Sequence, residues 1–154
     1  MSTDMAKTSQ DYLATWNSHD WEKISPFFTD DCIYEDIAVG KVCHGKQELK
    51  AYFDDMLVWS ADFRIESKSF FTIGNWIASE WVMTGTHTGD VPRMKATGKE
   101  YSIRGASVSE LREGKISRNT DYWNLASFLQ QVGLLPTAPP NWFGRLMMRL
   151  LMRR

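Results

Sequence analysis

The chain has little cysteine: 2 residues in 154, Cys32 and Cys43. That is too few for a disulfide framework, and neither sits in a Cys-x-x-Cys spacing. The 3 histidines, His19, His44 and His87, are scattered and pair with no nearby cysteine or carboxylate at metal-ligand spacing. There is no glycine-rich phosphate loop and no Ser-His-Asp pattern, so neither a metal nor a cofactor is expected. An excess of one charge is also lacking. The net charge is -1, which leaves no overall field to recruit nucleic acid. No apolar run reaches the roughly 18 residues that a membrane span needs. The N-terminus is polar and has no apolar signal core, so a cytoplasmic protein with reduced thiols is expected.

What the chain does have is rings. Aromatic residues make up 13% and include 7 Trp, within 43% apolar residues. Bulky rings at that density suit a single domain enclosing a pocket. Met5, Tyr12, Leu13 and Trp16 recur at helical spacing and predict a helix over 3–17. Asp20 is a good N-cap for a short helix over 21–28, which Pro26 keeps irregular. A short strand is expected at 32–36, a loop at 40–45 and a third helix over 46–59. From Asp62 the period changes to two, predicting strands at 63–72, 76–87, 99–111 and 115–123 in an antiparallel meander. A short helix over 125–132 closes at Gly133. The order gives an α+β domain with helices closing one face of a curved sheet.

Asp121 is the most informative residue. Alternation places Asn119, Asp121 and Trp123 on one face of the last strand. A carboxylate on the wall of a lined cavity is partly desolvated, its pKa rises, and it can act as a base near neutral pH. The structural alternative is an exposed Asp capping the helix near Leu125. By the same parity Tyr34 and Asp36 point together, as do Ile77, Ser79, Trp81 and Met83, and Ile103, Gly105, Ser107 and Ser109. If these faces meet, an apolar cavity holds two carboxylates and a few hydroxyls, and Gly105 leaves room for a ring. The alternatives are core packing for Trp81 and Met83, a buried helix stripe for Tyr12, and a loop-starting Asp for Asp36. His44 is expected to be a rim or capping residue, and His87 to sit on the rim near the loop 88–98.

Several stretches carry a resemblance. These are Tyr34-Glu35-Asp36, His44-Gly45 before a helix, Thr84-Gly85-Thr86-His87-Thr88-Gly89, Ala96-Thr97-Gly98-Lys99, and Tyr122-Trp123-Asn124-Leu125 with Leu129-Gln130-Gln131-Val132-Gly133-Leu134. Over about residues 8–135 the chain resembles the SnoaL-like polyketide (ester) cyclases of the cone-shaped NTF2-like superfamily. The resemblance implies a cone fold and, for Asp121, the base that removes a carbon-bound proton before an aldol ring closure. In the limonene-epoxide hydrolases the Asp at this place helps to activate a water. Those enzymes also orient the water with a Tyr and an Asn, which resemble Tyr34 and Asp36. In the ketosteroid isomerases the base resembles Asp36 and the enolate donor resembles Tyr12, at matching separation.

The departures are specific. Ser107 stands where the isomerases have a protonated Asp and the cyclases a His. Asn119 stands where the cyclases often carry a His. Trp81 and Met83 replace the Arg and Asp of the epoxide hydrolases' charged triad, which argues against epoxide hydrolysis. The resemblance therefore implies catalytic roles for Asp121, Asp36 and Tyr12. The shared-face parity points to substrate contacts for Tyr34, Trp81, Met83, Ser107, Asn119 and Trp123. The expected activity is cofactor-free acid/base chemistry on a small hydrophobic carbonyl compound, an aldol-type cyclisation or an isomerisation. The alternative is a non-catalytic protein that binds an apolar ligand. A homodimer through the open sheet face is expected.

The domain should occupy residues 1–135, with a Pro-rich linker and a basic amphipathic helix over 136–154. Arg145, Arg149 and Arg153 lie four apart in that tail, which leaves the rest of the chain net acidic. Such a helix can lie on a membrane surface. Packing on the protein or on a partner subunit is the favoured expectation.

Overall fold

A computed structural model describes residues 11–90 and 95–137, together with Gly144, Leu146, Arg149 and Leu150. The expectations for 3–10 and for most of the tail lie outside the described residues. Helix α1 is described over 11–16, with Tyr12, Leu13 and Trp16 buried at the spacing that predicted it. Asn17 just beyond pins α1 to the sheet. Its amide donates to the Ile65 carbonyl at 2.9 Å and accepts the Ile65 N–H at 2.7 Å. Helix α2 (Trp21–Ile24) is capped by Asp20, which accepts the Glu22 N–H at 3.0 Å. Pro26 then opens a 3-10 turn, Ser25–Phe27, instead of extending the helix.

Strand β1 (Phe28–Asp36) starts earlier than the expected 32–36. Phe28 is fully buried and pairs with Ile116, and a register shift separates it from Ile33. Asp30 and Asp31 lie on the strand, Asp30 bound to Lys46 and Asp31 to Arg112. Strand β2 (Lys41–His44) replaces the expected loop. It pairs antiparallel with β1, Tyr34 facing Cys43 and Asp36 facing Lys41. Four residues between two glycines are too few for alternation to show. Helix α3 (Gly45–Trp59) follows, buried through Leu49 and Phe53. His44 is its N-cap residue, and its backbone N–H donates to the Glu48 carboxylate at 2.8 Å.

Strands β3 (Arg64–Ile73), β4 (Trp76–Thr86), β5 (Glu100–Arg112) and β6 (Lys115–Trp123) form the meander. Helix α4 (Leu125–Gln131) is capped by Asn124, whose side chain accepts the Ser127 N–H at 2.9 Å. The described strands make one curved sheet in the order β2-β1-β6-β5-β4-β3. Every pairing is antiparallel except β1 with β6, which is parallel. That single parallel joint lays the β1–β2 hairpin beside the end of the meander. The α+β cone expected from the sequence is the observed architecture. Among the described residues no helix is long and apolar enough to cross a membrane.

Candidate active site

Sheet register assembles the site. Ser79, Ser107, Asp121, Asp36 and Lys41 are successive cross-strand partners on β4, β5, β6, β1 and β2. The next row is Ile77, Ser109, Asn119, Tyr34 and Cys43. Trp81, Gly105 and Trp123 form the row on the other side. Partners in register share a face, so one concave surface carries two carboxylates, three serine hydroxyls and one amide among rings. Helices α1 and α3 cover it. The cavity between has a volume of about 340 Å³. Rings line it from both sides, among them Tyr12, Trp16, Tyr52, Trp59, Phe63 and Phe128, and the exposed Val39, Lys41 and Asp55 lie at its open end.

Asp121 is buried in the middle of this surface. Its Oδ1 accepts the Ser107 hydroxyl at 2.6 Å and the Asn119 amide at 2.8 Å. Its Oδ2 accepts the Tyr34 hydroxyl. Each donor around Oδ1 is itself oriented. The Trp81 indole N–H donates to Ser107 Oγ at 2.8 Å, so the serine proton is left for Asp121. Ser109 donates to the Asn119 carbonyl oxygen at 2.7 Å, which turns the amide N–H₂ towards Asp121. Gly105 makes this possible: a Cβ there would lie 2.2 Å from the Trp81 ring. The ring for which Gly105 leaves room is therefore the protein's own.

These contacts pull against one another. Burial pushes the Asp121 carboxyl above its ordinary value, and the three hydrogen bonds from Ser107, Tyr34 and Asn119 restrain that rise, while the Asp36 charge adds to it. A carboxylate offers about four acceptor positions. Ser107 and Asn119 fill those of Oδ1 and Tyr34 takes one on Oδ2, so the open position is on Oδ2. Burial, then the charge of Asp121, raises the Tyr34 and Tyr12 phenols well above their usual range. Both remain protonated donors across neutral pH.

Asp36 ends β1 in a different setting. Its Oδ1 accepts the backbone N–H groups of Ala38 and Val39 at 3.0 and 3.2 Å, which is the loop-starting arrangement that the sequence also allowed. The Trp123 indole donates to both carboxylate oxygens, at 3.0 and 2.9 Å. The Tyr52 hydroxyl donates to Oδ2 at 2.6 Å. Tyr12 lines the same cavity but is not the hydroxyl bonded to Asp36; that hydroxyl is Tyr52 on α3.

Tyr34, Trp81, Met83, Ser107 and Trp123 all line the cavity, whereas Asn119 stands behind Asp121. Sequence reasoning missed Tyr52, because its place in the apolar stripe of α3 looked like ordinary core. It also placed His87 near a loop rim. The imidazole is instead buried between Trp59 and Phe128, with its Nδ1 3.2 Å from the Thr97 hydroxyl. Among the described residues no cluster of three or more His, Cys, Asp or Glu is placed to hold a metal ion.

The geometry has counterparts among known proteins. Over 97% of its length the chain superposes on AclR from Streptomyces galilaeus, named as a candidate hydroxylase, with 92% of that protein covered, a TM-score of 0.79 and 19% identity. It superposes on IdmH from Streptomyces antibioticus, named as a candidate polyketide cyclase, over 84% of this chain and 98% of that one, at a TM-score of 0.74 and 17% identity. A protein from Catenulispora acidiphila with a ketosteroid isomerase-like fold, in complex with trimethylamine, matches over 86% and 97% at a TM-score of 0.74 and 20% identity. At these identities the likeness is one of fold. A family profile described as SnoaL-like polyketide cyclase matches residues 6–132, most of the chain, and the protein belongs to that family.

Proposed function

We propose that the protein is a cofactor-free acid/base enzyme acting on a small hydrophobic carbonyl compound, with Asp121 as its base. The observation that carries this reading is the open acceptor position on Asp121 Oδ2 inside an apolar, ring-lined cavity. Desolvation raises the basicity of the carboxylate, and its fixed donors aim it. In the proposed step the C–H bond next to the substrate carbonyl breaks and its proton goes to Oδ2. The electron pair moves onto the carbonyl oxygen as an enolate. The Tyr12 hydroxyl, kept protonated by burial, serves as donor to that oxygen. The enolate carbon then either attacks a second carbonyl, closing a ring, or is reprotonated elsewhere, moving a double bond.

The geometry favours cyclisation over an isomerase-type mechanism based at Asp36. Ala38, Val39, Trp123 and Tyr52 already occupy that carboxylate. The expected result is poor turnover of 3-oxo-Δ5 steroids in an absorbance assay; efficient isomerisation would make Asp36 the main base. Asp121 also lacks the Arg partner that positions water in epoxide hydrolysis: its bonded neighbours are Tyr34, Ser107 and Asn119.

The competing reading is a protein that binds an apolar ligand without converting it. A panel of hydrophobic aryl ketones and β-keto esters in deuterium oxide, followed by NMR, separates the two. An enzyme of the proposed kind speeds deuterium entry next to the carbonyl. Binding of the panel without any accelerated exchange would support the binder. We further propose that the outer sheet face, where Phe71, Ile73 and Tyr122 are exposed, is the contact surface of a homodimer.

A further inference from the structure

We infer that Ser60 and Tyr101 form a second polar subsite of the cavity, remote from Asp121, which takes a hydroxyl group at the far end of an elongated ligand. The substrate class is then a hydroxylated carbonyl compound of more than one ring. That class rests on the reacting carbonyl lying at Asp121; the hydroxyl contact does not.

The inner face of β5 runs Tyr101, Ile103, Gly105, Ser107. Ser107 is the cross-strand partner of Asp121, and Tyr101, Ile103 and Ser107 all line the cavity. Ile103 and the Trp81 ring over Gly105 make the stretch between the two polar ends apolar. From Tyr101 to Ser107 is roughly 20 Å along a straight strand, at about 3.3 Å per residue, and less on a curved one. Side chains at both ends reach inward and shorten the gap. One small ring still does not bridge it, whereas a ligand of two or more rings does.

Strand β4 and the end of α3 complete the subsite. Gly85 is the cross-strand partner of Tyr101, and a Cβ on it would lie 2.4 Å from Ser60 Oγ and 2.8 Å from Tyr101 Oη. With only hydrogen there, the two oxygens converge over the glycine, much as the Trp81 ring lies over Gly105. Ser60 follows the last turn of α3, and both Ser60 and Tyr101 are buried and line the cavity. The lining beside them is made of rings, Trp59, Phe63 and Phe128. Ser60 already directs its hydrogen at Asp62 Oδ1, at 3.1 Å. Asp62 is itself fixed by the Thr86 N–H at 2.8 Å and the Thr86 hydroxyl at 2.7 Å. Ser60 Oγ is therefore left as an acceptor. The Tyr101 hydroxyl, unlike those of Tyr34 and Tyr52, is bonded to no carboxylate among the described residues. Burial raises its phenol above the ordinary value, against a smaller lowering by Ser60, so it remains a protonated donor at neutral pH. One acceptor beside one donor is the complement of a hydroxyl, which donates to Ser60 and accepts from Tyr101. An ether oxygen meets only Tyr101.

The test is calorimetric binding of a matched set of two-ring ketones to the full chain, wild type and Tyr101→Phe. The set is acetonaphthone, its derivative with a hydroxyl on the far ring, and the methyl ether of that derivative. The hydroxy ketone should bind the wild type about tenfold more tightly than acetonaphthone, which one well-made hydrogen bond can supply. The ether should gain less. In Tyr101→Phe the hydroxyl advantage should largely disappear, while acetonaphthone binds both proteins alike. A wild type that binds the three ketones equally, or binds none of them, would overturn the subsite, and this arm needs no variant to fold. An advantage that survives whole in Tyr101→Phe, or an ether bound as tightly as the hydroxy ketone, would also overturn it. Binding is read without turnover, so deuterium exchange on the same ketones reports separately on Asp121. A hydroxyl preference with no accelerated exchange would leave the subsite standing and remove the proposed base.

Discussion

The inner and outer faces of the same strands are built in opposite ways. Inside, Ser107 and Ser109 of β5 and Asn119 and Asp121 of β6 are buried and bonded to one another. Outside, Val108 and Tyr122 on those strands, with Phe71, Ile73 and Trp76 on β3 and β4, stand in solvent. Elsewhere the same strands follow the usual order, with Ile77, Trp81 and Ile103 buried within and Glu80, Arg104 and Arg118 exposed without. Burying polar groups costs stability unless every one is paired. Around Asp121 that condition is met: Ser107 and Asn119, the donors to its Oδ1, are each oriented by a further partner. The inner pattern fits the proposed role of Asp121 as a base, and the outer one fits the proposed homodimer.

If that contrast is right, the largest effect should come from removing the inner acceptor. Asp121→Leu would leave the Ser107 and Tyr34 hydroxyls and the Asn119 amide unpaired in the core, at about 1–3 kcal/mol each. Chemical denaturation should show a severe loss of stability. A variant as stable as wild type would mean that the network is not held together by Asp121.

Gly105→Ala should come next. Its new Cβ would push the Trp81 ring off β5, at the roughly 1–3 kcal/mol usual for overpacking, and would take the indole N–H away from Ser107. The expected sign is a joint fall in stability and in carbon-acid exchange. Unchanged exchange would show that the orientation of Ser107 does not matter to the chemistry.

On the outer face, Phe71→Asp with Ile73→Glu should lower the mass measured by light scattering from dimer to monomer while exchange activity is kept. A protein that is monomeric before the change would remove the outer half of the comparison. The smallest effect is expected at Tyr52→Phe, which removes one donor from a carboxylate that keeps its bonds from Ala38, Val39 and Trp123. About 1 kcal/mol of stability should be lost.

The faces of β4, β5 and β6 were legible from alternation alone, and so was the company of Asp121 with Asn119 and Trp123. What alternation cannot give is register. That Ser107, Asp121 and Asp36 form one row depends on the parallel joint between β1 and β6, which no local pattern announces. Strand β2 was hidden because four residues are too short to show a period. Tyr52 was hidden because a hydroxyl on an apolar helix stripe looks the same in sequence whether or not a carboxylate faces it. His87 was misplaced because its burial depends on the returning segment, where Lys99 accepts its N–H and Gly98 donates to its carbonyl.

The pH behaviour of Asp121 gives a consequence for stability as well as for rate. Its carboxyl is raised in the fold, so its stabilising contribution is greatest when it is protonated and is lost as pH rises through the raised value. The stability of the wild type relative to Asp121→Asn should therefore increase as pH falls from neutral. Catalysis runs the other way, since the base must be deprotonated, and its acid limb should lie above the ordinary carboxylate value of 3.8.

The role proposed for Asp121 is to take a proton from carbon. The direct measurement is deuterium exchange next to the carbonyl of a ketone bound by both wild type and Asp121→Asn, with binding measured on the same samples. Size and shape are kept in the variant, so binding should be nearly unchanged while exchange falls by roughly 10²–10⁴-fold. Full exchange by Asp121→Asn on a ligand that the wild type converts would contradict the claim.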